Sequence, residues 1–196
     1  MTNTKECTQL PVAGERVPET TRGQAVTDND TWQRYNASTE TALLRGLLYA
    51  PARQVLELSR KLEEADLYAQ DARTIYAATV EAARRLVEAG EGDAPVSPDR
   101  VRSDLQRAGV LASGNVAGVL LDATSAQFPA PVWSDVCGLA DALVGLRARR
   151  ALEITGEALC ATAGASDVEV AAVCNRLLPP LYRLMRRAGL GVRPWA

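Results

Sequence analysis

Apolar residues recur at helical spacing along most of the chain. The stretch STETALLRGLLYAP, residues 38–51, places them on one side of a helix, with Ser38 suited to the N-cap and Pro51 to the end. The next stretch, ARQVLELSRKL, has a second apolar face of the same kind. The pattern therefore predicts two short core helices.

A longer apolar stripe begins after Asp71 and predicts a third helix, which Gly90 ends. In SPDRVRSDLQRAG, Ser97 is expected to cap a fourth helix, with Pro98 at its first position and Gly109 just past its end. NVAGVLLDATSA predicts one more short helix. The stripe of the third helix consists of Ala72, Ile75, Tyr76, Thr79, Ala83, Leu86 and Val87.

Prolines 129 and 131 separate these short helices from a much longer pattern. About thirty residues follow without a proline, which as one helix would span roughly 45 Å. The short turn near Gly164 leads into a second helix, so the two should form an antiparallel hairpin. The Pro179-Pro180 pair is expected to interrupt the second arm, leaving LYRLMRRA as a separate terminal helix.

These patterns predict an all-α fold, a compact multi-helix globule followed by an extended antiparallel helical hairpin. No stretch alternates as a strand would, and a composition that is 47% hydrophobic but only 5% aromatic favours a core of Ala, Leu and Val. The expected division is a disordered or loosely attached tail over 1–37, the globule over 38–128, the hairpin with its short terminal helix over 129–188, and a C-terminal tail over 189–196.

The residue types needed for common catalytic sites are missing from the sequence. It has no histidine, no G-x-x-x-x-G-K-[ST] loop for a nucleotide triphosphate and no C-x-x-C pair. We therefore expect no enzyme, no catalytic residue, no cofactor and no metal site. The absence of a signal-peptide core favours the cytoplasm, and a net charge of -2 requires neither nucleic acid nor a membrane as partner.

The apolar seam of the long helix is a candidate protein interface, because one short partner helix cannot cover all of it. Arg147 and Arg150 interrupt the seam and would lie at the rim of the interface. The expected apolar contacts are Leu139, Leu143, Leu146 and Ile154.

Arginines also accumulate near the C-terminus, where no acid follows Glu169. Two interpretations are open: contact with phosphate or an acidic partner, or a solvated face favoured by a helix C-terminus. On the first interpretation, the candidate nucleic-acid contacts are Arg183, Arg186 and Arg187.

Five short motifs in one order resemble the N-terminal domain of DnaB-type replicative helicases. They are E-x-A-x-L-x-G-L-L-x-x-P from Glu40, then L-Y at Leu67 with A-R-x-I-Y-x-A from Ala72, P-V at Pro95, G-V-L at Gly109, and the long helix with Arg149-Arg150 before its turn. The resemblance covers about seven-tenths of the chain, residues 38–178.

In that family a helical globule precedes a helical hairpin, hairpins pair between subunits in a ring-shaped collar, and the collar binds the C-terminal domain of primase, whose fold is similar. The resemblance implies a non-catalytic protein-interaction module of DNA replication. Such a protein would form a homo-oligomer through its hairpin, would bind replicative helicase or primase, or would do both. This sequence contains no ATPase motor, so helicase activity is not expected of it. The alternatives are a nucleic-acid-binding regulator that uses the arginine clusters, and a separated non-motor part of a helicase.

Overall fold

The computed structural model describes residues 37–191, and these residues fold into α-helices joined by short connections. No strand occurs within this part of the chain, where the β-type pairing is an isolated antiparallel bridge between Pro51 and Pro95. The all-α prediction is confirmed.

The helices are α1 (37–49), α2 (Ala52–Ser59), α3 (Gln70–Glu88), α4 (Pro98–Arg107), α5 (Val116–Thr124), α6 (Trp133–Thr162) and α7 (Asp167–Arg187), with a 3-10 turn at Glu64–Asp66 between α2 and α3. Residues 1–36 and 192–196, which hold most of both predicted tails, lie outside the described part.

Helix α1 supplies the centre of the core. Its leucines 43, 44, 47 and 48 are all fully buried, as the apolar pattern predicted. Ser38 already lies inside the helix and is not its N-cap, which corrects the expected start. Gly46 permits close packing, since a Cβ at this position would collide with Val136 of α6.

The contact between α1 and α6 changes the predicted division of the chain. Val136, Leu143 and Leu146 belong to the same buried cluster as the leucines of α1 and the apolar stripe of α3. The core therefore continues across the boundary expected at residues 128 and 129. The first half of α6 is a core helix, although its sequence is continuous with the hairpin.

The start of α4 is held by backbone contacts and not by the expected side-chain cap. Pro98 is the first helical residue, but the Ser97 side chain makes no capping hydrogen bond. Instead the Ser97 N–H donates to the carbonyl of Leu48 at 2.9 Å, and this pairing holds Ser97 at a φ of 71°. Gly109 follows the helix with a φ of +71°, a conformation that glycine adopts without strain.

Helix α7 runs without a break from Asp167 to Arg187, so the predicted interruption at Pro179-Pro180 and the separate terminal helix are wrong. Ser166 caps it reciprocally with Glu169: the Glu169 N–H donates to Ser166 Oγ at 3.4 Å, and the Ser166 N–H to Glu169 Oε2 at 3.2 Å. Apolar residues facing α6 occur on both sides of the prolines, and this packing stabilises a helix that two prolines alone would disfavour. They include Cys174, Leu177, Leu178 and Leu181.

The hairpin has a covered base and a projecting tip. Up to Leu146, buried residues of α6 belong to the main core, whereas Ala148, Thr155 and Leu181 are buried outside it. From Ala151 onward α6 extends about 18 Å beyond that core, at about 1.5 Å per residue. The tip, which we define as residues 151–175, is thus a two-helix segment without a third layer among the described residues.

Candidate interaction surface

A buried carboxylate holds the hairpin to the globule. Asp66, in the 3-10 turn, has a fully buried side chain that accepts a hydrogen bond from Arg147 Nη1 at 3.0 Å and two from Arg187, one of them from Nη1 at 3.1 Å. The neighbouring Glu63 Oε2 lies 2.8 Å from Arg147 Nη1 and 3.2 Å from Arg187 Nη1. Because Arg147 belongs to α6 and Arg187 to α7, the two arms meet at Asp66, which fixes their antiparallel arrangement.

A second polar contact fixes the end of the same loop. Arg150 Nη2 donates to the Asp66 carbonyl at 3.1 Å, and its guanidinium lies 5.3 Å from the centre of the Tyr68 ring. Glu40 of α1, only 2% exposed, accepts hydrogen bonds from the N–H groups of Tyr68 and Ala69, the latter at 3.2 Å. Burial raises the pKa of Glu40, and these two N–H donors offset part of that increase.

Three arginines expected at the molecular surface therefore have structural roles. Arg147 and Arg150 hold the loop while remaining partly exposed, and Arg187 binds Asp66 and the Lys61 carbonyl, the latter at 2.7 Å. No pattern in the sequence pointed directly to Glu40 or Asp66 as their partners. The available signal was indirect: arginines within an apolar seam require carboxylates, and Asp66 lies in the otherwise apolar motif A-D-L-Y.

The apolar residues predicted for the interface lie in different environments. Leu143 and Leu146 are buried inside the chain, so the prediction that they contact a partner is corrected. Leu139 is partly buried and packs on the core. Ile154, one turn beyond Arg150, is 67% exposed and keeps the surface position that an interface requires.

The tip of the hairpin leaves much apolar surface uncovered. Leu152 and Ile154 on α6 are exposed, and Val168 on α7 is 80% exposed. Side chains between the two arms are only half-buried, because each helix has one neighbour there and not two. These are Ala158, Leu159, Val170, Val173, Cys174, Leu177 and Leu178.

Charges are segregated along the hairpin. All charged side chains at the tip are acidic: Glu153, Glu157, Asp167 and Glu169. From residue 176 to 191 every charge is an arginine, and Arg147, Arg149 and Arg150 lie at the same end. The hairpin therefore has an acidic tip and a basic end of α7, whereas the base of α6 carries Asp135 and Asp141 beside its arginines.

Two of the three predicted nucleic-acid contacts are exposed on α7. Arg183 and Arg186 lie on the same side of the helix as Arg176, at spacings of seven and ten residues. None of these three forms an ion pair with another described residue. They make a basic stripe about 15 Å long, at about 1.5 Å per residue.

Residues 37–191 contain no cluster of metal-binding side chains. No group of three or more cysteines and acids there could hold a metal ion. A groove of about 660 Å³ between α4 and α5 is open and mainly apolar, with Leu120, Leu121 and Arg102 among its lining residues. The same residues include no helix long and apolar enough to span a bilayer.

Comparisons with known proteins found no matching family model, no matching curated protein and no matching solved structure.

Proposed function

We propose that this chain is a non-catalytic protein–protein interaction module of DNA replication that works in the cytoplasm. The order of its motifs resembles that of the replicative helicase N-terminal domain. That resemblance implies a helical globule followed by a long hairpin, and the chain has this architecture. The observation that carries the proposal is the projecting tip, whose apolar residues Leu152, Ile154 and Val168 are exposed. Because Leu152 and Ile154 are two residues apart on α6, they face different sides of the helix, and the tip offers exposed apolar side chains to another protein on more than one side.

Self-association is the mode that the charges favour. Two hairpins related by a two-fold axis near Ile154 would place the acidic tip of each along the basic base of the other. The half-buried residues between the arms would then gain the third and fourth helices of a bundle, which would cover them more completely. Binding to replicative helicase or primase would use the same tip.

Light scattering coupled to size-exclusion chromatography tests this proposal. We expect the wild-type chain to form a dimer or a larger oligomer, and Ile154→Glu to shift it to the monomer without loss of helical circular dichroism. Leu121→Glu is the matched control, since Leu121 is equally exposed but lies on α5. A strictly monomeric wild-type chain that also fails to bind purified helicase and primase would overturn the proposal.

A second candidate function rests on the basic stripe of α7. Arg176, Arg183 and Arg186 are unpaired among the described residues and suitably spaced to contact phosphates, which supports a nucleic-acid-binding regulator. Its test is a DNA-binding titration at several salt concentrations. The affinity for DNA should fall as the salt concentration rises. It should be lost in the double variant Arg183→Glu/Arg186→Glu and kept in the control variant Arg100→Glu, on α4. A chain that binds no DNA at about 50 mM salt would exclude this function.

A further inference from the structure

A groove separates α4 from α5 on the surface of the globule. Both helices pack on α3 and make little contact with each other, so the space between them is left open. A cavity of about 660 Å³ lies there, and a second of about 420 Å³ continues it along α4. The two share Arg102, Leu120 and Thr124 among their lining residues. The groove therefore follows α4, which has ten residues and is about 15 Å long.

The floor of this groove is apolar, and its rim exposes large apolar side chains. Leu120 is 5% exposed and belongs to the core, so the floor is held in place by packing within the chain. At the rim, Leu121 is 69% exposed and Tyr49 is 48% exposed. A fixed apolar floor between two helices is the kind of groove into which an amphipathic helix places its apolar face.

The charges of the groove distinguish between partner helices. Arg102 is the charged residue that lines the larger cavity, and it forms no ion pair with another described residue. In contrast, Arg107 on the same helix is paired with Asp104, which also binds Arg85 of α3. Asp99, the acid of the smaller cavity, lies in the first turn of α4, where the helix itself favours a negative charge. A guanidinium beside an apolar floor, with no carboxylate of its own chain, is complementary to a carboxylate of the partner.

We propose that this groove binds an acidic amphipathic helix of another protein. Apolar side chains of that helix contact Leu111, Leu120 and Leu121, and one of its carboxylates pairs with Arg102. The proposal goes beyond association through the hairpin tip, because the groove lies between α4 and α5 and uses no residue of the hairpin. The chain then has two separate surfaces, one for self-association and one for a partner helix.

Selection from a peptide library tests the groove. The probes are displayed helical peptides of about eleven residues, with leucines fixed on one face and the flanking positions randomised among Glu, Gln and Lys. We expect the wild-type chain to select peptides rich in Glu, since Arg102 is the charge that they meet. Their affinity, measured by fluorescence polarisation, should fall at least about tenfold in Leu121→Glu, which places a like charge at the rim. The matched control is Ile154→Glu at the hairpin tip, which is 67% exposed and should leave the affinity unchanged.

Charge exchange identifies the side chain that selects the acid. Arg102→Glu should prefer the version of a selected peptide in which each Glu is replaced by Lys. Arg100→Glu, on the same helix but not lining the groove, should keep the wild-type preference. Circular dichroism shows whether each variant keeps its helices.

Three outcomes would overturn the proposal: no selected peptide, selection of peptides rich in Lys, or an affinity that neither Leu121→Glu nor Arg102→Glu changes. If Leu121→Glu instead converts an oligomer to the monomer in light scattering, the occupant is a second copy of this chain, and the partner helix is excluded. A monomeric wild-type chain that still selects acidic peptides through the groove would contradict self-association alone.

Discussion

Asp66 connects three elements through one side chain. It is fully buried, and its carboxylate accepts hydrogen bonds from Arg147, Arg187 and the Glu63 N–H, the last at 2.7 Å. A buried charge is tolerated only when it is paired and hydrogen-bonded, and these contacts meet that requirement. The loop between α2 and α3 thus has a defined position because the hairpin supplies its partners.

Replacing Asp66 tests how much the hairpin depends on this carboxylate. Asp66→Ala should lower the free energy of unfolding by about 3 kcal/mol, since it leaves two largely buried guanidinium groups with only the exposed Glu63 as a shared partner. Urea denaturation measures the change. The matched control is Asp93→Ala, which removes the partner of Arg53 in a solvent-exposed pair and should cost less than about 1 kcal/mol. Equal effects of the two substitutions would show that the Asp66 pairs contribute nothing beyond a surface ion pair.

Glu40 should make stability depend on pH. Its folded-state pKa is raised above 4.5 by burial, so the folded chain binds a proton more tightly than the unfolded chain does. The stabilising contribution is therefore complete below about pH 4.5 and is lost as the pH rises through the folded pKa. Glu40→Gln lacks this titration, and the difference in unfolding free energy, wild type minus variant, should decrease as the pH rises. Urea denaturation at a series of pH values would contradict the assignment if that difference increased instead.

At the scale of the element, α7 is a helix maintained by tertiary packing against its own local preferences. Proline within a helix removes a backbone hydrogen bond and crowds the carbonyl four residues earlier. Pro179 and Pro180 both lie on the exposed side of α7, so the stripe that faces α6 is not interrupted. The cost of the prolines is therefore local, and the helix continues.

Replacing these prolines should stabilise the hairpin. Pro179→Ala/Pro180→Ala restores two N–H donors in the helix and should raise the free energy of unfolding by about 2 kcal/mol. Thermal denaturation followed by circular dichroism reports the change. Pro98→Ala is the matched control, because proline is well suited to the first turn of α4 and its loss should bring no gain. No gain from the double substitution would mean that α7 is already broken at this point in solution.

At the scale of the whole molecule, the main feature is the segregation of charge and apolar surface along the hairpin. The base is covered by the globule and carries the arginines of the hairpin together with Asp135 and Asp141, whereas the tip is uncovered and its charged side chains are all acids. If charge were distributed evenly along the hairpin, no orientation of a second hairpin would be favoured. The observed charge distribution favours the antiparallel orientation, because the acidic tip of each hairpin then lies beside the arginines of the other.

Charge reversal should therefore separate this orientation from others. In the proposed dimer, Glu157→Arg/Glu169→Arg should weaken association, and raising the salt from about 50 to 500 mM should also weaken the wild-type dimer, since exposed pairs are screened. Sedimentation equilibrium measures both effects. Glu88→Arg/Glu91→Arg, at the end of α3, alters net charge equally and is expected to leave association unchanged. Stronger association in the tip variant would exclude the antiparallel mode.

The spacing of apolar residues was enough to predict the helical class, the apolar stripes of α1 and α3 and the existence of the long hairpin. These features depend on periodicity and on local signals such as Gly90 after α3 and Pro98 at the start of α4, which act within a few residues. Three further features could not be predicted in this way: which half of α6 belongs to the core, that Arg147, Arg150 and Arg187 bind a loop, and that α7 continues through its prolines. Each of these depends on a partner distant in sequence: Val136 on Gly46, Arg187 on Asp66, and Leu181 on the facing helix. Periodicity marks a face as apolar, but only packing decides whether that face lies against its own chain or remains open to another.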